Sequence, residues 1–134
     1  MIAVINSGGA NLNSVILALK RLNVTAELTT KSSVIKNAAY VILPGVGAAN
    51  AVMENLIKLD LCDTIRSLTQ PVLGICLGMQ LFYDFSEEGD TKCLGIINGR
   101  VKKITAERVT VPHMGWNIID IKHDNNTLLL KNIC

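Results

Sequence analysis

The sequence predicts an α/β fold built on a doubly wound, mostly parallel sheet, with an antiparallel or mixed extension in its second half. Three observations carry this expectation. From Ile2 to Phe85, short apolar runs alternate with amphipathic helical stripes, the pattern of βα units. Glycine-containing turns follow the first, third and fourth apolar runs, where a doubly wound sheet gathers its ligand-binding loops. From Ile96 onward the apolar runs succeed one another with no long helical stripe between them.

Ile2 to Asn6 is a short apolar run ended by Ser7, Gly8 and Gly9, which reads as a buried strand and a turn. Leu12, Val15, Ile16, Leu19 and Leu22 then recur at helical spacing and mark an amphipathic helix. Val24 to Leu28 is the second strand. Tyr40 to Leu43 is the third, stopped by Pro44 and Gly45. Ala51 to Leu59 and Leu61 to Leu68 read as helices, Val72 to Ile75 as the fourth strand, and Leu77 to Phe85 as a helix after it. Ile96 to Ile104, Val109 to Val111 and Trp116 to Ile121 have strand character. The chain closes on Leu128, Leu129, Leu130, Lys131, Asn132, Ile133 and Cys134. That is an apolar run where domain ends are usually polar, and it reads as an element cut off mid-fold.

With 134 residues the chain predicts one domain, spanning residues 1–134. Hydrophobic residues make up 49% and charged residues 18%, enough to bury a core and unlike a disordered segment. The net charge of +2 is too small to suggest nucleic acid as a partner, and Arg100, Lys102 and Lys103 read as the solvent face of a strand. No run approaches the roughly 18 apolar residues of a membrane span, and no basic segment with a cleavage site opens the chain. Cys62, Cys76, Cys93 and Cys134 form no C-x-x-C pair and no dense disulfide pattern. A reducing, cytoplasmic location without a metal or other cofactor is the simplest expectation.

The chemistry concentrates in Leu73 to Gln80, LGICLGMQ. Cys76 lies where an apolar strand becomes a helix, between Gly74 and Gly78, the cysteine counterpart of the G-x-S-x-G nucleophile elbow. Flanking glycines relieve the steric clash of so sharp a turn. Backbone N–H groups at a helix start favour a thiolate and can donate to an oxyanion, with Leu77 N–H the first in line. A buried structural cysteine is the alternative. Cys62, Cys93 and Cys134 lack this context and read as packing or surface thiols. Leu43 to Met53, LPGVGAANAVM, places Gly45, Val46 and Gly47 between a strand and a helix, where backbone N–H groups can face an anionic oxygen. An ordinary strand-to-helix turn fits that segment as well.

LGICLGMQ is similar to the nucleophile motif of class I glutamine amidotransferases, and LPGVGAANAVM to their oxyanion strand. INSGGANLNSV at Ile5 to Val15, LGIINGRV at Leu94 to Val101 and VPHMGWN at Val111 to Asn117 resemble the glutaminase subunit of imidazole glycerol phosphate synthase within that family. The resemblance implies a flavodoxin-like sheet and a glutaminase reaction through a Cys76 thioester. Leu77, Gly45, Val46 and Gly47 would hold the oxyanion, and Gln80 and Glu88 the glutamine. It further implies that ammonia passes to a cyclase subunit, a (β/α)8 barrel. That heterodimeric partner makes imidazole glycerol phosphate and AICAR in histidine biosynthesis. His113, Met114, Trp116 and Asn117 would then belong to the surface facing it. Read without the resemblance, Glu87 and Glu88 are a solvated acidic loop, and His113 and Trp116 a satisfied histidine and a core aromatic.

Two departures stand out. The family carries its base near the C-terminus, as His and Glu two residues apart. Here His113 is followed at that spacing by Gly115 and His123 by Asn125. The expectation is therefore a chain that lacks the C-terminal part of the family domain, binds glutamine and turns it over poorly. Asn6, Ser7 and Gly8 also stand where the family has an Asp-Tyr-Gly-like start, a change read as minor for the chemistry. A degenerate copy that only docks on the cyclase, or a paralogue feeding ammonia to another synthase, stays open beside the enzyme. A shortened sheet further predicts an exposed edge and poor solubility without a partner.

Overall fold

The computed structural model describes residues 1–8, 11–105 and 110–120. The chain divides into two compact units, Met1–Lys103 and Ile104–Cys134. The first unit carries all the regular elements among the described residues. In chain order these are β1 (Ile2–Ile5), α1 (Leu12–Arg21), β2 (Ala26–Thr29), α2 (Ser32–Asn37), β3 (Tyr40–Gly45), α3 (Ala49–Lys58), α4 (Cys62–Arg66), β4 (Val72–Cys76), α5 (Leu77–Gln80), β5 (Tyr83–Ser86), β6 (Thr91–Lys92) and β7 (Ile97–Val101).

β1 to β4 form one sheet in the order β2-β1-β3-β4. All its pairs are parallel, with Val4 opposite Leu28 and Ile42, and Gly45 opposite Cys76. The chain leaves β1 toward β2 and returns to the other side of β1 as β3. That puts the reversal of winding, where such sheets bind ligands, between β1 and β3. Ala3 and Ile5 of β1 and Val41 and Leu43 of β3 share one face by the two-residue strand period. They pack with Val52, Met53 and Leu56 of α3 and with Leu61, Ile65, Leu77 and Leu81 in a single core. Ala49, Val52, Met53 and Leu56 are the buried stripe of α3, at helical spacing. Leu12, Val15, Ile16 and Leu19 of α1 are half-buried, while Leu22 beyond the helix is exposed. Lys20 and Arg21 sit in the last turn of α1, where cations suit the carbonyl end of a helix.

The second sheet has the order β6-β5-β7. β5 pairs antiparallel with β6 and parallel with β7, so the extension is mixed. Cys93 and Leu94 join this sheet to the main core, and the Leu94 N–H donates to Leu81 C=O at 2.9 Å.

Several elements differ from the sequence expectation. The helix expected over Leu77 to Phe85 is one turn, Leu77–Gln80, after which Tyr83–Ser86 is a strand. The cause is competition for the backbone. The Phe82 carbonyl accepts from Ile96 and Ile97 N–H and the Tyr83 carbonyl from Gly95 N–H, at 2.7–2.9 Å, and these bonds displace helix continuation. β3 does not stop at Leu43 but runs through Pro44 and Gly45, paired with Ile75 and Cys76. α2 and the two-residue β6 were not anticipated. Of the later expected strands, Ile97–Val101 forms. Thr110, Val111 and residues 116–120 are not in strands, while Val109 and Ile121 lie outside the described residues.

Candidate active site

β4 hands directly to α5 at Cys76, and the handover is sharp. Cys76 has φ 56° and ψ −117°, a left-handed-side conformation that a side chain adopts only at a cost. Two glycines make the turn possible. A Cβ on Gly78 would overlap the carbonyl of Leu43, and one on Gly74 would stand 2.6 Å from Met79 Cα and from the Phe82 ring. The short helix can therefore press against β3 and β4 while Cys76 stays exposed.

Cys76 opens on a cleft of about 230 Å³, lined by Ser7, Gly8, Asn11, Leu12, Ser14, Val15, Pro44, Gly45, Val46, Ile75 and Cys76. Its walls come from the carboxyl ends of β1, β3 and β4 and from the start of α1, the location expected for a ligand in this sheet type. Ser7 is a buried part of that wall. Its hydroxyl donates to Pro44 C=O at 3.0 Å, and its own C=O accepts from Asn55 Nδ2 of α3 at 2.6 Å. Beyond Gly45 the chain opens out. Val46 is half exposed, and Gly47 has φ 91° with nothing within 4 Å of where a Cβ would stand.

Of the residues singled out from the sequence, Cys76, Gly45 and Val46 share this cleft. Leu77 follows Cys76 with its side chain in the core. Gln80 ends α5, half-buried, and Glu88 lies in the exposed turn between β5 and β6; neither lines the cleft. That turn is well defined. Glu88 N–H donates to Ser86 Oγ at 3.2 Å, Thr91 Oγ1 donates to Glu88 C=O at 2.8 Å, and Glu87 Oε2 accepts from Lys103 N–H at 2.9 Å. A Cβ on Gly89 would come 3.1 Å from Asn50 Cγ, so the acidic turn rests against the head of α3, just past Gly47. In the second unit His113, Met114, Trp116 and Asn117 are all exposed, and Asn117 Nδ2 lies 2.6 Å from His113 Nε2. His123 and Cys134 lie outside the described residues.

Burial pushes the Cys62 thiol up, against a smaller opposing pull from the Arg66 guanidinium, and burial likewise pushes the Cys93 thiol up. Both favour the protonated, unreactive form. Among the described residues no group of three or more His, Cys, Asp or Glu side chains could hold a metal ion, and no helix is long and apolar enough to cross a membrane. The sequence reading did not single out Asn55, and it named Ser7 only within a departure taken as minor for the chemistry, since a serine after a strand is an ordinary turn residue. Its partner Pro44 is 37 residues away, and nothing local signals the pairing.

A family described as "Glutamine amidotransferase class-I" matches residues 3–133. The imidazole glycerol phosphate synthase subunit HisH of Pasteurella multocida is 48% identical over 124 residues, covering 92% of this chain and 63% of that protein. The HisH subunit of Haemophilus influenzae strain KW20 is 51% identical over 116 residues, with coverages of 87% and 58%. That of Xylella fastidiosa is 50% identical over 117 residues, with the same coverages. This chain thus spans about three-fifths of the length of these relatives. A solved structure described as "Crystal structure of glutamine amidotransferase" superposes with a TM-score of 0.65 at 20% identity, over 76% of this chain and 56% of that one, a likeness of fold. On the match from residue 3 to residue 133, the chain belongs to the class-I glutamine amidotransferase family.

Proposed function

We propose that this chain is the glutamine-binding and thioester-forming part of an imidazole glycerol phosphate synthase, feeding ammonia to a cyclase subunit. The observation that carries the reading is Cys76, held at φ 56° on the wall of the cleft where β1, β3 and β4 end. In the reaction the Cys76 thiolate attacks the side-chain carbonyl carbon of glutamine. The C=O electrons move to oxygen, and backbone N–H groups of Leu77 and of the Gly45–Gly47 loop stabilise that oxyanion. Collapse expels the nitrogen, which takes a proton and leaves as ammonia, and water then cleaves the γ-glutamyl thioester. Gln80 and Glu88 are assigned to substrate binding, the Glu88 carboxylate as counter-charge for the α-ammonium. Neither histidine of the sequence carries the His-x-Glu pattern, so this chain supplies no assigned base. A polypeptide of these 134 residues alone would turn over slowly, since acid–base help is worth about 10²–10⁴ in rate.

The identity to HisH subunits supports the choice of a cyclase as ammonia acceptor. Met114 and Trp116 are 84% and 103% exposed, which supports their segment as part of a surface for that barrel partner in a cytoplasmic heterodimer. The same exposed segment also fits a second reading, a non-catalytic copy that docks on the cyclase.

The test is covalent. Incubation of the full chain with 6-diazo-5-oxo-L-norleucine, a glutamine analogue with an electrophilic diazoketone, is expected to give one adduct on Cys76, suppressed by L-glutamine. Labelling that ignores glutamine, or that lands on Cys62 or Cys93, removes the glutaminase reading. Ammonia release measured with and without a cyclase subunit separates the two readings. Cyclase-stimulated release that Cys76→Ala abolishes supports the enzyme, and binding without release supports the docking copy.

A further inference from the structure

We propose that Ser7 is a positioning residue for the reaction at Cys76: its hydroxyl aims the loop that carries Gly45, Val46 and Gly47 by holding the Pro44 carbonyl. The proposal rests on the glutaminase reading of Cys76 and assigns a residue which that reading leaves without a part.

Ser7 is 1% exposed, and the bond from its Oγ to Pro44 C=O, 3.0 Å, is buried. It spans 37 positions of sequence and lands on the residue that enters the loop. Pro44 has no N–H, so its carbonyl is the one backbone group through which a neighbour can hold it. The Pro44–Gly45 peptide is planar and trans. Fixing the direction of the carbonyl therefore fixes the Gly45 N–H on the opposite side, and Gly45 stands in register with Cys76. Ser7 is itself held. Its C=O accepts from Asn55 Nδ2 at 2.6 Å, and Asn55 belongs to α3, the helix that begins just after the loop. The loop is thus secured at its entry through Ser7 and at its exit through α3. Between these anchors, Val46 is half exposed and Gly47 faces open space, so the geometry at the entry decides where the loop amides point.

Removing the hydroxyl leaves the Pro44–Gly45 peptide held only by its pairing with β4, so its carbonyl can tilt, while Cys76, Gly74 and Gly78 keep their own contacts. A purely structural serine would loosen the elbow as a whole. The two cases separate kinetically, because an interaction realised only as charge develops lowers the limiting rate and leaves binding alone.

The experiment compares the full wild-type chain with Ser7→Thr and Ser7→Val, two variants of nearly equal volume that differ in the hydroxyl. Each is treated with 6-diazo-5-oxo-L-norleucine over a concentration series and, separately, with iodoacetamide, which needs an exposed thiolate but no oxyanion loop. For Ser7→Val we expect the saturating rate of Cys76 labelling to fall by about 10- to 100-fold, the size of effect a small misplacement produces. The half-saturating concentration and the iodoacetamide rate should stay within about twofold of wild type, and Ser7→Thr should retain the wild-type limiting rate. Ser7→Val labelling at the wild-type rate, both reagents slowing alike, or Ser7→Thr behaving as Ser7→Val overturns the proposal while the glutaminase reading stands. A wild-type chain that takes no label at Cys76 overturns both. A Ser7→Val chain that does not fold, with a Ser7→Thr chain that folds and labels slowly, also overturns it.

Discussion

Three described cysteines occupy three environments, and their reactivities should follow. Cys76 is exposed, Cys62 is half-buried, and Cys93 is 2% exposed. In the native chain alkylation should therefore proceed in that order, with Cys93 last. Burial raises the Cys62 and Cys93 thiols above their ordinary range, which also sets a pH dependence of stability. A raised folded value means the native state keeps protons that the unfolded chain releases. The stabilising contribution is whole below the unfolded thiol pKa of about 8.5 and drains away as pH rises through the higher folded values. The urea midpoint should accordingly drop between pH 7.5 and pH 9.5, and Cys93→Ala should shrink that drop. A midpoint that holds or rises over this interval contradicts the assignment. Of the residues that line the cleft, Cys76, Gly45 and Val46 were legible because strand–turn–helix punctuation by glycine is a local signal. The bond from Ser7 to Pro44 was not, since only the folded chain creates it.

At the level of elements, the geometry of the candidate site depends on how closely α5 lies against β3. Gly78 passes so near the Leu43 carbonyl that an added methyl has no room, and Leu43 itself is fully buried. Gly78→Ala must push α5 away from β3 or bend it, at a cost of about 1–3 kcal/mol typical of overpacking. Equilibrium denaturation should show that loss, together with slower labelling of Cys76 by a glutamine analogue. Wild-type stability in this variant would mean the two elements are not in firm contact. The legibility of the elements follows the range of their bonds. β1, β3 and β4 are apolar runs bounded by turn residues, so they could be read directly. The run from Leu77 to Phe85 fits a helical stripe equally well, and it becomes a strand from Tyr83 because Leu94, Gly95 and Ile96 supply backbone partners from a distance. β6, two residues long, has too few positions to show a period.

For the first unit as a whole, the parallel sheet reads clearly from the alternation of strands and helices. Its lateral boundary does not, because strand order depends on pairings. Among the described residues β4 pairs on one side only, with β3. Leu73 and Ile75, which share a face of β4, are 41% and 38% exposed. Open edges carrying apolar side chains invite association between molecules. The purified chain should therefore show scattering that grows with concentration, and Leu73→Lys should reduce it without unfolding the protein. A monodisperse wild-type chain at high concentration would count against the edge as an association site.

The backbone at Cys76 has a thermodynamic meaning for the molecule beyond its chemistry. Glycine occupies φ 56° without the steric penalty that a Cβ meets there, and strain of this kind amounts to about 1–3 kcal/mol. Cys76→Gly should thus melt higher than wild type, by a few degrees, although glycine returns part of the gain as entropy of the unfolded chain. Robustness and reactivity pull in opposite directions at this one position, so a copy relieved of its chemical task would be under thermodynamic pressure to discard its sulfur.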